Sequence, residues 1–199
     1  MPTAFHYFGQ KAGWKKMSED VRTSATTPVL RVLTAAGVKP DHVSLLALLS
    51  LGGFAWLAGT NIALAGTFVL LHLVLDALDG PLARFQKRAT RAGALTDIFA
   101  DEVGFAIIML TLLSYGFVGP FAGAWYLASY FTMVALLSGL DLSGQPYLFA
   151  LPTKNLFYLL FFVDIFAGTQ LTYPSLLAFA AYTTALDFFL FLRLRWALS

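Results

Sequence analysis

Residues 43–75, VSLLALLSLGGFAWLAGTNIALAGTFVLLHLVL, contain no Asp, Glu, Lys or Arg. One helix crossing a bilayer takes about 20 apolar residues, so this stretch holds two, parted by the turn signal Gly59-Thr60-Asn61. Residues 103–140 are equally free of charge and divide between Gly116 and Pro120, and a third apolar region, from Asn155 to Leu192, divides between Gly168 and Pro174. The pattern predicts six spans near residues 41–58, 62–83, 94–117, 121–140, 154–167 and 175–193. The fifth is short as read from its apolar core and is expected to begin a few residues earlier. The fold class that follows is an all-α integral membrane protein with six transmembrane helices.

Composition agrees. Of 199 residues, 58% are apolar and 12% are charged, about half the charged share of a soluble domain, and the mean hydropathy is +0.72. These values exclude a disordered, fibrous or disulfide-built chain and disfavour a soluble enzyme. With no cysteine, thiol catalysis and thiolate metal sites are excluded. The net charge of +2 carries little information, and no nucleic-acid partner is expected.

The placement of the basic residues tests the threading. With both termini cytoplasmic, all 13 Lys and Arg residues fall in the inner segments 1–40, 84–93, 141–153 and 194–199 or at helix ends bordering them, as the positive-inside rule requires. The first 40 residues form a separate cytoplasmic segment ahead of a transmembrane domain over 41–199, and they hold no apolar run suited to a signal peptide. There Phe5, Tyr7, Phe8, Trp14, Met17 and Val21 alternate with Lys11, Lys15, Lys16 and Arg22, the pattern of an amphipathic helix lying on the inner leaflet.

Ionisable groups in membrane segments are costly and mark function. Asp76 and Asp79 close the second predicted span, and Asp97 and Asp101 open the third. Spacings of i,i+3 and i,i+4 put each pair on one helix face, and the short loop over 85–92 lets the two faces meet. Four carboxylates so close repel strongly in a low dielectric unless they surround cations, and hard oxygen ligands suit Mg²⁺, Mn²⁺ or Ca²⁺. Gly80, Ala83 and Gly93 would let a ligand approach the backbone, and Arg84 offers a donor fork suited to phosphate. The set reads as a site for two cations and a diphosphate. Surface pairing with Lys87, Arg88 and Arg91 would leave the small residues unexplained.

The stretch from Asp76 to Asp101 resembles the signature of the CDP-alcohol phosphotransferase family, DxxDGxxAR-x8-GxxxDxxxD. All eight fixed positions are present at the family spacing: Asp76, Asp79, Gly80, Ala83, Arg84, Gly93, Asp97 and Asp101. The resemblance implies that Asp76, Asp79 and Asp97 bind two divalent cations, Mg²⁺ or Mn²⁺, and that Asp101 is a further ligand and the catalytic base. It implies that Gly80, Ala83, Arg84 and Gly93 hold the CDP part of the donor. Where relatives carry a Pro-Asn-x-x-Thr start to the first span, this chain has Pro40-Asp41-His42-Val43-Ser44, so Asp41 and Ser44 stand at nucleotide-binding positions. Glu102 occupies a position that is commonly basic in relatives.

The activity implied is transfer of a phosphatidyl group from a CDP-linked lipid, CDP-diacylglycerol foremost, to a small alcohol acceptor, with release of CMP. Glycerol 3-phosphate or another polyol phosphate is one acceptor class, and Arg91, Lys154, Arg193 and Arg195 are candidate partners for its phosphate. The alternatives are a soluble CDP-alcohol donor with a lipid acceptor and, from another class, a divalent-cation transporter. Membrane lipids are expected partners, and Leu, Phe, Tyr, Ala and Gly in the third and fourth spans suggest a homodimer.

Other polar residues bear on packing. His72, four residues before Asp76, either extends the metal shell or packs as a hydrogen-bonded core histidine. His42 and Asp41 either touch the nucleotide or cap the first span. Asp187 is expected to be neutralised by Lys154 or Arg193, and Asp164 carries no assigned role. Trp56, Trp125, Tyr126 and Tyr173 read as an outer aromatic belt.

Overall fold

The structure is a computed structural model that describes residues 26–145 and 149–198. The predicted interfacial helix around Phe5–Arg22 lies outside the described residues. All regular structure among those described is helical. Helix α1 covers residues 26–35, followed by α2 (Pro40–Leu57), α3 (Ile62–Phe85), α4 (Arg91–Ser114), α5 (Pro120–Leu142), α6 (Thr153–Ala167) and α7 (Thr172–Leu198). Helices α2 to α7 fall on the six predicted segments. Four of them, α2, α3, α5 and α7, are long and apolar enough to cross a membrane.

The ends of the helices follow local chemistry. Asn61 accepts the Leu64 N–H at 2.9 Å and starts α3, and Pro120 occupies the first turn of α5, where its missing N–H costs nothing. Helix α4 begins and ends three residues earlier than expected. Thr90 Oγ1 accepts the Gly93 N–H at 3.0 Å and sets its start, and Gly116 at φ +73° turns the chain out of it. The expected earlier start of the fifth span is not found: α6 begins at Thr153, because Pro152 stands at its N-cap and the Leu151 N–H is taken by the Tyr182 hydroxyl at 2.9 Å. At 15 residues and ~1.5 Å per residue, α6 is shorter than a full bilayer crossing.

The chain divides into two compact units, one within Lys11–Thr111 and the other within Leu112–Ser199. In the first, Leu30 of α1, Val43 of α2 and Leu82 of α3 form a buried cluster closed by Leu33, Val38, Leu75 and Leu78. This cluster holds the N-terminus of α2 against the C-terminal half of α3, where the acidic residues lie. Further along the same pair, a side chain at Gly53 would collide with the Phe68 ring, the nearest atoms at 2.6 Å.

In the second unit α5 and α7 meet along a polar seam. Ser129 Oγ lies 2.6 Å from Thr183 Oγ1, and Trp125 Nε1 donates to Thr184 Oγ1 at 2.9 Å, the inter-helix pairing that apolar surroundings favour. Trp125 is thus tied to α7 rather than being only a member of an aromatic belt. Asp164 acquires a role that the sequence did not suggest. Its carboxylate accepts the Leu171 and Thr172 N–H groups, each at 2.8 Å, and the Thr169 hydroxyl, capping the start of α7. The ion pair expected for Asp187 is not formed among the described residues: its Oδ1 is buried without a hydrogen-bond partner, while Lys154 Nζ lies over the Tyr130 ring, 5.9 Å from its centroid.

Candidate metal centre

Asp76 and Asp79, one turn apart on α3, meet Asp97 from the first turns of α4. Each offers a carboxylate oxygen, and the three atoms lie within 4.8 Å of one another. Asp79 is buried; the other two are half-buried. Asp79 is also the most constrained, with Oδ2 accepting the Ser44 hydroxyl at 2.6 Å and Oδ1 accepting the Gly80 N–H. Asp97 is in electrostatic range of Asp79, Asp101 and the Arg84 guanidinium. Asp101 stands one turn further along α4 and is not part of the 4.8 Å group.

A cavity of about 430 Å³ borders this cluster, within the usual size range of small-molecule sites. From α2 it takes Pro40, Asp41 and Ser44; from α3, Asp79, Gly80, Ala83 and Arg84; from the start of α4, Ala92, Gly93, Thr96 and Asp97. Eight sequence-selected residues therefore share one wall: Asp41, Ser44, Asp79, Gly80, Ala83, Arg84, Gly93 and Asp97. The N-termini of α2 and α4 both reach the cavity, and such ends favour anions. Packing within the protein does not explain Gly80, since a side chain there would meet only Arg84 Nη1 at an ordinary 3.5 Å.

Lys39, Arg88, Ala89 and Thr90 complete the lining and were not selected from the sequence. Thr90 had a usable signal, a threonine just before a helical run. Arg88 reaches the wall because α3 ends with Lys87 in the left-handed conformation, φ +56°, and the Arg88 N–H returns to the Ala83 carbonyl at 2.8 Å. His42 is a capping residue: its Nδ1 accepts the Lys39 N–H at 3.4 Å. His72 is buried and bonded to α2, as the core-histidine reading requires. Among the acceptor candidates, Arg91 is the first residue of α4, Lys154 lies in the first turn of α6, and Arg193 lies near the end of α7.

These features define a class, an all-helical integral membrane protein with a carboxylate cluster beside an anion-suited cavity. Residues 38–191 match the family model of the CDP-alcohol phosphatidyltransferases, and the chain belongs to that family. Over 90 residues, 44% of this chain, it is 36% identical to phosphatidylinositol phosphate synthases of Mycobacterium bovis and Mycobacterium tuberculosis; the match spans 42% of the length of those relatives. The fold is shared with the crystal structure of Mycobacterium tuberculosis phosphatidylinositol phosphate synthase in complex with manganese and citrate. That likeness has a TM-score of 0.70 and 20% identity, over 86% of this chain and 88% of that one.

Proposed function

We propose that this protein transfers a phosphatidyl group from CDP-diacylglycerol to an alcohol, releasing CMP, at the inner face of a membrane that it crosses six times. Family membership supports the reaction class, and the positive-inside pattern supports the orientation. The observation that carries the reading is a three-carboxylate cluster, two of whose members, Asp79 and Asp97, line a cavity with Arg84 and two helix N-termini in its walls.

The residues fit divalent cations. Asp76, Asp79 and Asp97 present hard oxygen donors within 4.8 Å of one another, and carboxylates so close are compatible with full ionisation only beside cationic charge. Two ions, Mg²⁺ or Mn²⁺, held by these three with Asp101, would neutralise the diphosphate and the charge developing on CMP. Ser44 fixes the Asp79 carboxylate. Gly80, Ala83 and Gly93 admit the donor to the backbone, Asp41 lines the nucleotide end, and Arg84 presents its donors to a phosphate. Asp101 accepts the proton of the acceptor hydroxyl, whose oxygen attacks the β-phosphorus. The new P–O bond forms as the bond to CMP breaks, and CMP leaves with both electrons of that bond.

The acceptor we propose is a polyol phosphate. The names of the mycobacterial relatives support an inositol phosphate, and Arg91, Lys154 and Arg193 are candidates for the acceptor's phosphate on charge alone. Nothing in the site favours a cation transporter, which would place acidic groups through the membrane depth; in α3 both carboxylates lie in the second half.

The test is CMP release from CDP-diacylglycerol by the purified protein with Mg²⁺ or Mn²⁺, against inositol phosphate, glycerol 3-phosphate, serine and choline. Release with one acceptor, absent after chelation, is the expected result. Turnover by Asp101→Asn at the wild-type rate would remove the base assignment. No release with any acceptor or metal would overturn the reading.

A further inference from the structure

His72 of α3 is held between two other helices. On one side its Nδ1 lies 3.0 Å from the Ala47 carbonyl oxygen of α2; because that oxygen only accepts, Nδ1 carries a proton. On the other side the ring rests against Gly104 of α4. A methyl group at Gly104 would lie 2.7 Å from Cε1 and 2.8 Å from Nε2 of the ring, and 3.3 Å from Leu51 Cδ1. His72 is 1% exposed and tethered through Nδ1, so the ring has nowhere to retreat.

The contact lies directly along the helix faces that bear the acidic residues. Asp76 and Asp79 follow His72 by four and seven positions, and Gly104 follows Asp101 and Asp97 by three and seven. Intervals of three, four and seven all return a side chain to the same face of a helix. Resting on the metal reading proposed above, we infer that the His72–Gly104 contact is a spacer that sets the distance between the ligand-bearing faces of α3 and α4, which makes His72 a positioning residue for the divalent-cation centre. Ordinary van der Waals contact begins at 3.4 Å and below 3.0 Å something must shift, so a methyl group 2.7 Å from Cε1 and 2.8 Å from Nε2 would press the two faces apart. Metal–oxygen distances in well-formed sites fall within about 0.2 Å of their standard values, so the spacing of the ligand-bearing faces bears on affinity. A plain core histidine would contribute stability but would not set the metal affinity.

The experiment measures Mn²⁺ binding by the purified full chain in detergent, from the electron paramagnetic resonance signal of free Mn²⁺, without substrate. Gly104→Ala should raise the Mn²⁺ Kd at least tenfold. Gly52→Ala, which places the same methyl group in open space in the same unit, should leave it unchanged. Removing the ring should restore room for the methyl group, so His72→Ala/Gly104→Ala should bind Mn²⁺ at least tenfold more tightly than Gly104→Ala, yet more weakly than wild type, because the ring that sets the spacing is gone. A Gly104→Ala protein that melts at a lower temperature but binds Mn²⁺ with wild-type Kd overturns the spacer, as does a double variant no better than the single. Should Gly104→Ala fail to fold, the double variant decides: recovered fold and Mn²⁺ binding support the spacer, and their loss overturns it. If wild-type protein binds no Mn²⁺, or Asp97→Asn binds it as wild type does, the metal reading itself falls and the spacer with it.

Discussion

The Ser44 hydroxyl donates to Asp79 Oδ2 at 2.6 Å, joining the first turns of α2 to the most buried carboxylate of the acidic cluster. Groups that orient metal ligands typically change affinity or activity 10- to 100-fold when removed. Ser44→Ala should therefore lower kcat/KM for CMP release by about 10- to 100-fold. Ser44→Thr keeps the hydroxyl and should stay near wild type. Equal activity of the alanine and threonine variants would show that the bond is incidental.

Asp97 brings the α4 carboxylate to two from α3. Asp97→Asn keeps the shape and removes the charge, so the centre should lose most of its hold on Mg²⁺ or Mn²⁺. We expect CMP release to fall by about 10³-fold or more, given the several kcal/mol that metal charge supplies to such a transition state. Chelation of wild-type protein should abolish turnover, and added Mg²⁺ or Mn²⁺ should restore it. Turnover that survives chelation would contradict the carboxylate cluster as a metal site.

Asp164 offers a contrast, a carboxylate with a structural task. It accepts two backbone N–H groups and the Thr169 hydroxyl at the start of α7. Asp164→Ala should cost about 1–2 kcal/mol, the usual range for a lost helix cap. Thermal melts in detergent should show a lower midpoint, while activity per folded molecule at low temperature should match wild type. Loss of activity without loss of stability would point instead to a role in the reaction.

The positions of α2 to α7 were legible because charge-free runs and turn residues carry that information locally. The meeting of Asp76, Asp79 and Asp97 was legible for a similar reason, helical spacing joined to a short loop; Asp101, a turn further along α4, stands outside that group. Contacts between distant helices were not legible. Ser44 and Asp79 are 35 residues apart, and their meeting depends on how α2 and α3 are rotated about their axes. Hydropathy says little about rotation when a helix is apolar on every side. The spacing showed that His72 shares a face with Asp76, but neither Ala47 nor Gly104 could be named as its neighbours. An intramembrane charge ordinarily has a partner, but the buried Asp187 Oδ1 has none, and only the packing of the second unit reveals it.

Lys87 shows how a surface residue can bear on the cavity. It ends α3 at φ +56°, a conformation that costs a residue with a Cβ roughly 1–2 kcal/mol. Two bonds hold the turn, Lys87 N–H to the Arg84 carbonyl at 3.0 Å and Arg88 N–H to the Ala83 carbonyl at 2.8 Å. The turn carries Arg88, Ala89 and Thr90 into the cavity wall. Glycine adopts this conformation freely but adds entropy to the unfolded chain, so the terms partly cancel. Lys87→Gly should raise stability by no more than about 1 kcal/mol and leave the donor KM unchanged, since the turn is kept. Lys87→Val puts a β-branched side chain where it fits worst. It should lower the melting temperature and, by loosening the turn that places Arg88, raise the KM for CDP-diacylglycerol. If valine lowers stability but leaves KM untouched, the left-handed turn matters to the fold alone, and Arg88 has no part in holding the donor.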